Sequence, residues 1–169
     1  KIKTTYLAAD QNYLYKLILK SLRNYHAGKT IGLKIKEELE YVEILYNKGL
    51  HQQCNKVLKK AKTKAKNLAL YPLLLEVITW EQKLANVYQN FQAIESSITD
   101  LSKTTANLQN YNEYVALYHQ SFLLRKTNDK ARNEKSVQEF ESFMQHTLLK
   151  SVEQAMSFRA KIRYYEIYA

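Results

Sequence analysis

Residues 44–66 read ILYNKGLHQQCNKVLKKAKTKAK, and the fold class turns on them. Set out at 100° per residue, Cys54, Val57, Leu58, Ala61, Ala65 and Leu68 fall within an arc of roughly 100°. Lys56, Lys59, Lys60, Lys62, Lys64 and Lys66 occupy the remainder. This pattern predicts a surface helix from about His51 to Leu70, with one face against a core and a lysine-covered outer face. Gly49 predicts a stop for the helix before it, read from about Leu33 to Lys48, because glycine takes the left-handed backbone that ends helices.

The same period continues on both sides, and nowhere do apolar residues alternate with period two for long. A first helix is read from about Tyr6 to His26, stopped near Gly28. Pro72 suits the start of a fourth, carrying Leu73, Val77, Trp80, Leu84 and Val87, whose wide apolar face predicts the deepest burial for Trp80 and Leu84. A fifth is marked by Phe91, Ile94, Ile98, Leu101 and Leu108, and a sixth by Tyr111, Tyr114, Val115, Tyr118 and Phe122. Thr127, Asn128 and Asp129 break the pattern. A seventh helix carries Val137 to Leu148, and an eighth runs from about Ala155 to Ala169. Only three Gly and one Pro occur in 169 residues, which suits long helices on short turns and leaves little for strand hairpins or Gly-rich ligand loops. The expectation is an all-α chain of seven to eight helices, antiparallel pairs stacked as an α-solenoid over residues 1–169.

The spacing of Cys54, Leu58, Ala61 and Ala65 recurs 40 positions later in Ile94, Ile98, Leu101 and Thr105. The segment Ile44 to Leu50, followed by Cys54, Leu58 and Ala61, resembles a tetratricopeptide repeat, with residues 41–72 as the best match. In that family an apolar residue precedes the turn glycine by four, and small or apolar residues follow it by five, nine and twelve. The resemblance implies packing roles for Leu45, Gly49, Cys54, Leu58 and Ala61, and a scaffold that binds other proteins. The proline that closes the second helix in that family falls here at Pro72 rather than near Lys66, and Asn90-Phe91 replaces the turn glycine of the next copy.

Charge is unevenly placed. The net charge is +10, and residues 1–66 hold all of that excess, with 14 Lys and one Arg against five acids. A candidate basic patch of Lys56, Lys59, Lys60 and Lys64 could neutralise phosphates if it joined Lys16, Lys20 and Arg23. A lysine face also simply keeps a repeat protein in solution, and Glu37 and Glu40 would interrupt the field. Of the 14 tyrosines, Tyr111, Tyr114 and Tyr118 share a face and are candidate anchors for a bound peptide in a concave groove.

Catalytic, cofactor and metal chemistry is not indicated. His26, His51, His119 and His146 contain no pair three or four apart, so no helical metal pair arises, and no phosphate-binding or nucleophile-elbow spacing occurs. Glu37, Glu38, Glu40 and Glu43 read as a salt-bridged face rather than catalytic carboxylates. The expected function is a non-catalytic protein or peptide scaffold without cofactor. Nucleic-acid binding, or service as a regulatory module of a larger signalling protein, stands as the alternative. No apolar run approaches the roughly 18 residues of a membrane span, so no membrane partner is expected. One cysteine, Cys54, excludes an internal disulfide and favours a reducing, cytoplasmic setting. The start without Met and the apolar last helix suggest a piece of a longer chain with an incomplete last repeat. Self-association through Ile162 and Tyr165 of that helix is expected to cover its bare face.

Overall fold

The computed structural model describes residues 7–26, 28–128 and 134–169. Seven α-helices occur there, and no strand is found among the described residues. They are α1 (Leu7–His26), α2 (Ile31–Asn47), α3 (His51–Asn67), α4 (Tyr71–Val87), α5 (Phe91–Asn128), α6 (Glu134–Met144) and α7 (Phe158–Tyr168), with two 3₁₀ turns, Thr147–Leu149 and Val152–Gln154, before α7. From α2 to α5 each helix packs chiefly on its neighbour in the chain: α2 on α3, α3 on α4, α4 on α5, with α2 also reaching α4. The last helix, α7, packs on α5.

The turns between α2, α3, α4 and α5 share one geometry, repeated every 20 residues. Gly49, Ala69 and Gln89 each adopt a left-handed backbone, with φ of 71°, 49° and 51°. At each turn two amides close back on the last helical turn: Gly49 N on Tyr46 O and Leu50 N on Leu45 O, then Ala69 on Lys66 and Leu70 on Ala65, then Gln89 on Asn86 and Asn90 on Ala85. This crossed pair satisfies carbonyls that a helix end would otherwise leave bare. As a result α2, α3 and α4 are each 17 residues long. Helix α3 therefore ends three residues before the predicted Leu70. Only one of the three turns carries the glycine that announces it.

Ile35, Leu39 and Val42 of α2, Cys54, Leu58, Ala61 and Ala65 of α3, and Leu74, Val77, Ile78 and Leu84 of α4 form the first core, with Leu101 of α5 packed against it. Leu84 is buried as expected. Trp80 is not at the centre: it is half-buried at the margin, its ring 5.5 Å from that of Tyr46 and covered by the Lys83 ammonium at 3.8 Å. The smaller Val77 and Ile78 take the interior instead.

The break expected between Leu108 and Tyr111 does not occur. Residues 91–128 contain neither Gly nor Pro, and α5 runs through as one helix of 38 residues, about 57 Å long. Its polar midpoint is used in tertiary bonding: the Asn110 amide donates to Gln154 O at 3.1 Å and accepts from Met156 N at 2.9 Å. Beyond it lies a second core of Tyr114, Leu117, Leu149, Ala155, Ala160 and Ile167. The expected seventh helix stops at Met144 and the expected eighth begins only at Phe158, where the Ser157 hydroxyl caps it by accepting from Ala160 N.

Candidate functional site

The three tyrosines on one face of α5 have separate environments. Tyr114 is fully buried, its hydroxyl donating to Leu148 O at 2.8 Å, so it cannot line an open groove. Burial pushes its hydroxyl pKa up, with smaller contributions from Tyr164, Glu113 and Tyr168. Tyr118 is half-buried beneath the Arg163 guanidinium, 5.0 Å from the ring centre. The face expected to anchor a peptide is thus largely filled by α7 and the two 3₁₀ turns. Tyr111 alone reaches a groove.

That groove has a volume of 470 Å³ and runs between the α3–α4 turn and α7. Leu68, Tyr111, Phe158 and Ile162 supply its apolar surface, and Arg159, Arg163 and Glu166 its charge. Phe158 is 74% exposed, and Ile162 and Leu68 are each 41% exposed. Ile162 and Tyr165 are uncovered within the chain, as expected of the last helix. Arg159 donates from Nε to Leu68 O at 3.1 Å, tying α7 to the turn. Arg163 is held against Glu166 at 2.5 Å, and that bond, with a weaker one to Tyr111, reinforces its protonated state. Phe158 and Ile162 lay on a stripe visible in the sequence. Leu68 was expected on the core-facing arc of α3 and is instead 41% exposed, and Arg159 carried no signal in the sequence, since its contact with Leu68 joins residues 91 apart.

The candidate basic patch is divided. Lys56, Lys59 and Lys60 are exposed on α3. Lys64 turns inward to form an ion pair with Glu38, whose second carboxylate oxygen, Oε2, is buried without a hydrogen-bond partner. Lys62 bridges Glu81 at 2.7 Å and Asp100 at 2.8 Å, linking α3 to both α4 and α5. Desolvation works against the charge on Lys62, but its hydrogen bonds to Asp100 and Glu81 outweigh it and raise the pKa. Arg23 of α1 meets Glu40 at 3.1 Å. Of the four acids in α2, Glu38 and Glu40 therefore neutralise cations, and Glu37 accepts from the Tyr41 hydroxyl at 2.7 Å.

A 290 Å³ cleft beside Lys62, lined by Asn55, Lys59, Glu81, Tyr88 and Ser97 among others, has its central charges already matched within the chain. Among the described residues no group of three His, Cys, Asp or Glu could hold a metal ion, and no helix is long and apolar enough to cross a membrane. Cys54 is buried, its thiol 3.6 Å from Val42 O, and burial raises its pKa. No protein-family model, curated protein or solved structure matches the chain.

Proposed function

We propose that this chain is a non-catalytic scaffold of stacked helix pairs, similar in design to tetratricopeptide repeats, that binds a protein or peptide in the groove beside α7. The observation that carries this reading is the exposed apolar set of Leu68, Phe158 and Ile162, flanked by guanidiniums in a groove large enough for one or two side chains. Aromatic and Arg side chains of this kind are the usual anchors of protein recognition. The recurring turn at 49, 69 and 89 supports the repeat architecture. The lone buried thiol of Cys54 supports a cytoplasmic setting.

The partner segment carries a large apolar side chain for Phe158 and Ile162 and a carboxylate for Arg159. Selection of a random-peptide display library on the wild type, with a Phe158→Asp/Ile162→Asp variant as counter-target, tests this. Enrichment of apolar-acidic peptides that bind the wild type and not the variant is the expected result. Equal recovery on both targets would refute the groove as the site. Nucleic-acid binding receives less support, because Lys62, Lys64 and Arg23 are matched by carboxylates. Binding to mixed-sequence DNA or RNA at about 50 mM salt that vanishes at about 200 mM would reverse that preference.

A further inference from the structure

The open side of α7 carries a strip at helical spacing. Phe158, Ile162 and Tyr165 stand at i, i+4 and i+7, within about 60° of arc, and are 74%, 41% and 61% exposed. On the opposite side Ala160 and Ile167 are buried and Tyr164 packs on the second core. Tyr165 lies outside the groove, so the strip is longer than the cavity that takes in Phe158 and Ile162. Cations border it on both edges. Arg159 is one turn from Ile162 on the groove side, and Lys161 is one turn from Phe158 and Tyr165 on the other. Neither has an ion pair among the described residues. Glu166, the one acid of α7, is already engaged by Arg163.

The main chain of both walls is committed elsewhere. In the α3–α4 turn, Leu68 N, Ala69 N and Leu70 N donate to Lys64 O, Lys66 O and Ala65 O, and Leu68 O accepts from Arg159. In the first turn of α7, Ala160 N and Lys161 N donate to the Ser157 hydroxyl and Ser157 O. An extended segment laid here finds no row of free amides and carbonyls to pair with, and there is no strand edge among the described residues for it to join. A helix arrives with its own backbone bonds made and needs only side-chain contacts, which the strip supplies.

We infer that the occupant of this site is an acidic amphipathic α-helix of a partner protein, packed along α7 over Phe158, Ile162 and Tyr165. Its apolar residues recur at i, i+3 or i+4, and i+7, interlocking with the strip as ridges fit between ridges, and carboxylates on its flanks meet Arg159 and Lys161. Two copies of α7 face to face would instead set these cations against each other, so the strip is poorly suited to pair with itself. The inference rests on the groove reading above and adds to it the conformation of the partner and the reach of the contact to Tyr165.

Peptides from a random display library that bind the wild type and not Phe158→Asp/Ile162→Asp are the probe. They should repeat apolar residues at three and four positions with acids beside them, show helical Cα chemical shifts when bound, and bind at least about tenfold more weakly with a central Pro. Tyr165→Ser and Lys161→Glu, both outside the groove, should each weaken them severalfold while circular dichroism and the melting midpoint stay the same. Wild-type-specific peptides that alternate apolar residues with period two, tolerate the Pro or ignore both outer substitutions would overturn the helix and leave the groove as the site. A selection that yields no wild-type-specific peptide would remove the groove reading and this inference with it. A wild type that dimerises on its own, with the dimer dissolved by Phe158→Asp/Ile162→Asp in sedimentation velocity, would give the face to a second copy and also overturn the inference.

Discussion

Replacing Ala69 and Gln89 by glycine should stabilise the protein, and the sign of the effect is the informative part. Both residues hold a left-handed backbone at φ of 49° and 51°, which costs an L-residue about 1–2 kcal/mol relative to right-handed geometry. Glycine removes that cost and adds about 0.5–1 kcal/mol of unfolded-state entropy to be overcome, so each change should gain about 0.5–1 kcal/mol. The two turns are separate, so the double variant Ala69→Gly/Gln89→Gly should gain about 1–2 kcal/mol. For a chain of this size that raises Tm by about 2–8 °C. Gly49→Ala should do the reverse, losing about 1 kcal/mol, purely from φ, since nothing lies within 4 Å of where its Cβ would be. Urea unfolding followed by circular dichroism reads all three, with an unchanged m-value required for a simple comparison. Were α3 and α4 one continuous helix, Ala69→Gly would instead lose about 1 kcal/mol as a mid-helix glycine does. A loss at either position 69 or 89 therefore refutes the 20-residue turn repeat.

Lys64→Met should cost about 1–3 kcal/mol by stranding the Glu38 carboxylate, whose Oε2 is buried without a partner, and Glu38→Gln in the same chain should recover part of it; urea midpoints measure both. Lys62 and Tyr114 both have pKa values raised on folding, so their contribution is complete below the unfolded values near about 10 and is lost as pH climbs from there through the folded ones. Stability should accordingly fall in alkali, and Tyr114→Phe should flatten that fall while costing about 1 kcal/mol at neutral pH through the lost bond to Leu148 O; thermal melts against pH give the slope. Cys54, buried with a raised pKa, should react with a thiol reagent only as fast as the first core opens, so a rate unchanged by denaturant would contradict its burial.

The all-helical class was legible from periodicity because α2, α3 and α4 expose one face each, and Gly49 marked the first turn. The breaks near Ala69 and Gln89 were marked by Pro72 and by Asn90-Phe91, but the left-handed residue at each was not, because Ala and Gln do not announce that backbone as glycine does. The 40-residue recurrence proposed for Ile94, Ile98, Leu101 and Thr105 aligns the helices correctly but not their faces: α5 buries Ser97 and Thr104 and leaves Ile98 54% exposed. Spacing alone cannot separate an apolar residue that packs from one a few tens of degrees away that does not. Tyr114 had the opposite fate, chosen as a surface anchor and found in the interior, because its partner Leu148 lies 34 residues away on a 3₁₀ turn with no periodic signal.

The same non-local bonds tie the two walls of the candidate groove together. One wall is the α3–α4 turn, which belongs to the first core, and the other is α7, which belongs to the second. Two cores joined by a flexible linker would let those walls drift, whereas α5 is a single helix that enters both. Asn110 pins the approach to α7 from the middle of that helix, through Gln154 O and Met156 N, and Arg125 holds the far end of α7 through Ile167 O at 2.5 Å. Arg159 then closes the span directly onto Leu68 O. A groove braced at three points would not need to be ordered by a ligand, so the proposed peptide binding would lose little entropy on the protein's side. The absence of Gly and Pro from 91 to 128, which leaves nothing to break α5, is thus also what joins the two walls of the groove through one helix.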